Sequence, residues 1–193
     1  MPNPGNLLFS AGPAIVSDRI DVPFVRMEST KTGYGGYVAL EYFLTKAFSL
    51  QAELSVTTLG SETNIISTVV HHGALQTVAL HIPSRTTFHF DVSAGYYPLQ
   101  LTEYANFRLQ PFVKVALGGI FCITSDNSPR IDPCPFISAG GGVDFAFNAR
   151  WSAVVEADYY HSISDTTMHT DGVQFATRND GVLATVGIRY QIW

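Results

Sequence analysis

Between Phe48 and Val56 the chain reads FSLQAELSV, with Phe48, Leu50, Ala52, Leu54 and Val56 on one parity and Ser49, Gln51, Glu53 and Ser55 on the other. A period of two marks a strand with one apolar and one polar face. The alternation recurs, so that eight strands are predicted: Leu7 to Val16, Tyr34 to Leu44, Phe48 to Thr58, Thr86 to Tyr97, Phe107 to Phe121, Phe136 to Phe147, Trp151 to His161 and Gly181 to Ile192. Within them Glu41, Glu53, Asp91, Arg108, Lys114, Asp144, Glu156, Asp158 and Arg189 all fall on the polar face, together with His89. The other face stays apolar for about ten residues, the length a tilted membrane strand requires. No run approaches the roughly 18 apolar residues of a spanning helix, so a membrane reading requires a barrel.

The connections alternate in length. Thr45 to Ala47, Pro98 to Asn106 and Asn148 to Arg150 are short; Ser17 to Gly33, Leu59 to Arg85, Cys122 to Pro135 and Ser162 to Asp180 are long. Long and short connections in turn are the rhythm of an up-and-down barrel, with turns at one end and loops at the other. Leu75 to Ile82 also alternates, but a ninth wall strand would break that rhythm. It reads as an extension of the second long loop, ended by Pro83, which cannot donate to a ladder. The expected fold is therefore all-β: one domain over residues 1–193, an eight-stranded antiparallel transmembrane barrel with short periplasmic turns and four long extracellular loops.

Two further features favour apolar-out over a soluble lipocalin-like barrel. Tyr42, Phe48, Tyr96, Phe107, Phe147, Trp151 and Tyr190 gather beside the short turns, like the interfacial girdle of membrane barrels. Gly140 and Gly142 share the polar parity with Asp144, where a narrow lumen needs small residues. An inverted barrel would have to pack these aromatics inside and set the acids outside.

The segments FRLQPFVKVALGGIF (107–121), ISAGGGVDFAFNARWSAVVEADYY (137–160) and VLATVGIRYQIW (182–193) resemble the last four strands of the outer-membrane protein A-like and opacity-type eight-stranded barrels. That resemblance covers roughly the second half of the chain; the first half matches by pattern alone. It implies an integral outer-membrane protein that meets lipid, lipopolysaccharide and the barrel-assembly machinery. The N-terminus has no basic residue before Arg19, so an exported protein is expected here as the mature chain, with its signal peptide removed and a start Met added.

Composition narrows the partners. A net charge of -5 and the absence of a basic stripe argue against nucleic acid. Charged residues are only 14% of the chain, too few for an ordinary soluble surface or a disordered segment. Cys122 and Cys134 bracket a turn-rich segment, and a disulfide closing that loop is expected to contribute about 3 kcal/mol in an oxidising compartment. Two unpaired thiols are the alternative.

Candidate chemistry lies in the lumen and at its outer rim. The lumen network is expected to comprise Glu41, Glu53, His89, Asp91, Arg108, Lys114, Asp144, Glu156, Asp158 and Arg189. Buried charges must pair, protonate or stay hydrated. The network is thus either a salt-bridged plug, with each cation against an acid, or a cation-selective path. His161, with Ser162 or Ser164 as nucleophile and Glu156 or Asp158 as orienter, offers a weak catalytic set of the lipid A deacylase kind. Its spacing departs from that family's His-x-Ser-Asn pattern, and no catalysis is expected. Adjacent His71 and His72 point opposite ways in an extended segment, so with His81 they make an awkward metal site. No cofactor or metal is expected. Function is expected on the loops, as adhesion, binding of a host or extracellular ligand, or envelope integrity. The alternatives are a small-solute pore or hydrophobic-compound transporter resembling outer-membrane protein W, and the deacylase.

Overall fold

The computed structural model describes the backbone of residues 4–22, 27–59, 63–71, 74–82, 84–98, 108–124, 134–164, 166–170 and 173–192, with side chains over 4–19, 30–59, 84–98, 109–123, 134–164 and 179–192. Its strands are β1 (Leu7–Val22), β2 (Met27–Phe43), β3 (Phe48–Leu59), β4 (Thr63–His71), β5 (Ala74–Ile82), β6 (Arg85–Tyr96), β7 (Arg108–Thr124), β8 (Cys134–Ala146), β9 (Trp151–Ser162), β10 (Thr166–Thr170) and β11 (Val173–Gln191). The wall runs β1-β2-β3-β6-β7-β8-β9-β11, every neighbouring pair antiparallel, and β11 pairs back onto β1. An eight-stranded sheet is thereby closed and keeps no edge.

The faces sort as the alternation requires. Leu50, Val115 and Val155 point outward with relative exposures of 46%, 62% and 46%, whereas Glu53, Lys114 and Glu156 point inward at 2%, 4% and 4%. Cross-strand aromatic pairs fasten the outer face near the turns: Phe48 on Tyr96 with centroids 4.9 Å apart, and Trp151 on Tyr190 at 4.7 Å. Tyr34 and Tyr159 stand eight residues up their strands from Tyr42 and Trp151, and all four are exposed. At the rise of a tilted strand that spacing is a belt of roughly 20 Å, close to the apolar band of outer-membrane barrels.

Two short turns share one device. Thr45 Oγ1 accepts from the amides of Ala47 (3.1 Å) and Phe48 (3.0 Å), and Asn148 Oδ1 accepts from those of Arg150 (2.8 Å) and Trp151 (3.0 Å). In both, a small polar side chain satisfies the amides that the reversing backbone leaves open. The third turn, apart from Pro98, lies outside the described residues.

The loop end departs from the expectation. The β1–β2 ladder continues to Val22 opposite Met27, through most of the segment read as a loop from Ser17 to Gly33. Thr63–His71 and Ala74–Ile82 form their own antiparallel ribbon, β4 with β5, paired with no wall strand among the described residues. Leu75 to Ile82 is thus part of a loop hairpin, whose other strand is Thr63–His71. β10 pairs with the start of β11 inside the fourth expected loop. Past the apolar belt neither face is held to lipid-like polarity, so the alternation fades while the hydrogen-bond ladder runs on. Most of the third long loop, residues 125–133, lies outside the described residues.

An arginine at Val115, mid-belt, should cost about 2–4 kcal/mol of stability in lipid vesicles. Urea titration of Val115→Arg against Val115→Leu checks this; equal midpoints would show that the belt does not face hydrocarbon.

Candidate functional site

The inward side chains stack in layers along the barrel axis. At the turn end Leu8, Phe43, Tyr97, Phe112 and Val154 form an apolar plug, with Tyr97 5.1 Å from Phe43 and 5.3 Å from Phe112, ring centre to ring centre. Against it lies Arg189, whose Nη1 meets Asp144 Oδ2 at 2.8 Å and Glu41 Oε2 at 3.1 Å, and donates to the Tyr97 hydroxyl at 3.2 Å. Tyr97 in turn donates to Glu41 Oε1 (2.8 Å), as does Ser49 (2.5 Å). The guanidinium carbon sits 5.9 Å from the centre of the Phe112 ring, a cation–π placement. Arg189 is thus held by two carboxylates, a phenol and a ring face.

A second layer centres on Lys114. Its Nζ is paired with Glu156, lies 2.9 Å from Asp158 Oδ2 and 3.6 Å from Glu53 Oε2. Gln51 Nε2 donates to Glu53 Oε2 at 3.0 Å. Asp91 stands directly across the β3–β6 ladder from Glu53, buried in the same chamber. Room for this cluster comes from Gly140, which is in register with both Lys114 and Asp158. A Cβ there would run into the Asp158 carboxylate and the Ala157 carbonyl.

Toward the loops a larger apolar cluster follows, including Val16, Tyr37, Leu59, Ile120, Phe136, Tyr160 and Leu183. His89 belongs here. Its ring makes edge contacts with Tyr160 (5.1 Å) and Phe136 (6.1 Å), and neither ring nitrogen has a hydrogen-bond partner among the described residues. The outermost inward group pairs Arg85 with Asp18, whose Oδ1 accepts from the Tyr160 hydroxyl at 3.0 Å.

Most of the expected lumen network is therefore brought together, with Glu41, Asp144 and Arg189 in one layer and Glu53, Asp91, Lys114, Glu156 and Asp158 in the next. His89 is a correction: it packs among rings because it lies one pleat closer to the loops than Asp91. The Arg108 side chain lies outside the described residues. The Asp18–Arg85 pair was missed, although Asp18 keeps the parity of Ser10 and Ala14, and Arg85 that of His89 and Asp91. Extending the period two past the apolar stretch would have found both.

The disulfide is also corrected, because Cys122 and Cys134 are both free thiols. Cys134 is in register with Ile120, which leaves Cys122 on the diagonal, and diagonal neighbours stand about 7–8 Å apart. That is wide for a bridge. Cys134 Sγ instead approaches the Ser164 carbonyl at 3.5 Å, and Cys122 Sγ lies 4.0 Å from Thr87 Oγ1.

The catalytic candidates separate for a simple reason: consecutive residues of β9 face opposite ways. His161 points outward, its Nδ1 2.7 Å from Asp180 Oδ1. Ser162 points inward and accepts from the Asn179 amide at 3.0 Å, while Glu156 is bound to Lys114. Ser164 lies exposed beyond the strand end. No base and nucleophile meet among these residues. The histidines of the second loop are also spread out. His71 lies at the tip of the β4–β5 ribbon, while His81 pairs with Asn64 near its base, ~23 Å along a strand. His72 and the side chains of all three lie outside the described residues.

Searches with known proteins return neither a matching family model nor a matching curated protein. Solved structures do match. The outer membrane protein OprG from Pseudomonas aeruginosa is 13% identical, with a TM-score of 0.65 over 98% of this chain and 97% of its own. Neisserial surface protein A is 9% identical, with a TM-score of 0.56 over 95% and 97%. The fold is that of the eight-stranded outer-membrane barrels.

Removing the Lys114 ammonium strands Glu53, Glu156 and Asp158 together, and breaking a buried ion pair costs about 3–5 kcal/mol. Lys114→Met should lower stability by that order in detergent denaturation, and adding Glu156→Gln should restore part of it. Additive losses would show that the two residues are not coupled.

Proposed function

We propose that this chain is an integral outer-membrane protein whose lumen is closed and whose work is done by its loops, in adhesion, ligand binding or envelope integrity, without catalysis. One observation carries the reading: the charged side chains of both layers are buried against one another, so an ion moving along the axis would have to part Arg189 from Glu41 and Asp144, then Lys114 from its acids. An unpaired buried charge costs several kcal/mol, which makes that route steep.

The outer half supports the same reading. Beyond the belt the β1–β2 ladder continues as a ribbon, and β4–β5 adds a second, so the loops are mounted on paired strands rather than on slack chain. Rigid mounting is what a binding loop needs. OprG is described as an outer membrane protein, and the shared fold supports the same location here. On this reading the partners are outer-membrane lipid, lipopolysaccharide, the barrel-assembly machinery and an extracellular ligand.

In planar bilayers the refolded protein should give no discrete conductance steps; regular steps would replace this reading with a pore. Deleting residues 61–83 should leave a heat-modifiable barrel, because the ribbon pairs only with itself, and should reduce binding to target cells. Unchanged binding after removal of all four long loops would retire the loop hypothesis.

A further inference from the structure

The outer wall carries a feature that a closed lumen does not explain. An open groove of about 610 Å³ crosses β6 to β9, ending at Leu50 on β3 on one side and at His161 on the other. Its floor is low because Ala94 and Ala139 flank Val115 in one cross-strand row, where the next outward row toward the loops carries Val92, Leu117 and Ile137. Leu117, Ile137 and Tyr159 wall the end nearer the loops.

The groove's direction follows from the barrel's geometry. Val92, Leu117, Ile137 and His161 are successive partners across the ladders, and the row continues through Asp180 to Arg19. Val92 lies four residues from the turn-end ring of Tyr96, whereas His161 lies ten residues above Trp151. Strands tilted by about 40° make such a row climb obliquely across the belt. One end is therefore apolar and mid-wall; the other stops at His161, whose row continues along the rim through outward-facing Asp180 and Arg19, with His161 Nδ1 held by Asp180.

We infer that this groove binds one acyl chain of lipopolysaccharide, with the phosphorylated glucosamine seated on the Arg19–Asp180–His161 row. The complementarity is specific. A hydrocarbon tail meets an almost wholly apolar channel, and a head group bearing both phosphate and hydroxyls meets the Arg19 guanidinium and the His161 imidazole on either side of the Asp180 carboxylate. The loop-end rim faces the leaflet that holds this lipid if the loops are extracellular, so the inference rests on the membrane reading above.

Native mass spectrometry of the detergent-refolded barrel with purified lipid A tests it. One lipid A should be retained, and His161→Ala and the groove-filling Ala139→Trp should each weaken retention about tenfold. Val38→Trp, on the outer face of β2, should retain it as the unaltered chain does. Equal retention by every variant would mean ordinary annular lipid and overturn the site. Equal retention of phosphatidylglycerol would overturn the choice of lipid. A dimer lost in Ala139→Trp would assign the groove to a second copy. Folding to a monodisperse soluble barrel without detergent would overturn the membrane reading itself, a result distinct from all of these.

Discussion

Closure of the sheet on itself is the constraint on which the rest depends. Once β11 pairs with β1, the wall strands have no free edge, and every residue must choose between a crowded interior and an open exterior. With the apolar parity outward along the belt, an interior only wide enough for side chains receives the charged residues of that stretch of the strands. The layered lumen is the solution to that crowding. Arg189 and Lys114 each gather two or more acids, glycine clears space beside Asp158, and two apolar clusters fill much of the remaining space.

The layers are not equivalent. Arg189 has planar, forked donors and uses them on Glu41, Asp144 and Tyr97 from one position against a ring. Lys114 is a point charge and sits among acids from β3 and β9, with Asp91 of β6 in the same chamber. The first arrangement locks β2, β8 and β11 together; the second couples β3 and β9 across the lumen through β7. Side chains thus tie strands that do not pair through the backbone, which stiffens a tube whose wall is one sheet thick.

That stiffness bears on function. A rigid tube with continued ribbons at one end is a mount for loops, and the oblique groove across β6 to β9 is the feature of the outer wall on which the proposed lipid site rests. Neither role needs a catalytic group, and alternation has already set His161 and Ser162 on opposite sides of the wall.

Period-two alternation was enough to place Glu53, Lys114 and Glu156 inside and Leu50, Val115 and Val155 outside, because in a half-buried sheet the face of a residue follows from its parity alone. It also placed the three-residue turns at Thr45 and Asn148, where local chemistry decides. Other features depended on distance in space. Which acid meets which cation is set by register across several ladders, and so is the diagonal that keeps Cys122 from Cys134. The ladders beyond the belt were hidden as well, since outside the lipid span no long apolar face is required, and the alternation of Leu75 to Ile82 does not say which strand it pairs with. His89 shows the division most clearly: its inward direction was legible from its neighbours on β6, but its company of Tyr160 and Phe136 was chosen by strands more than forty residues away, brought level only when the barrel closed.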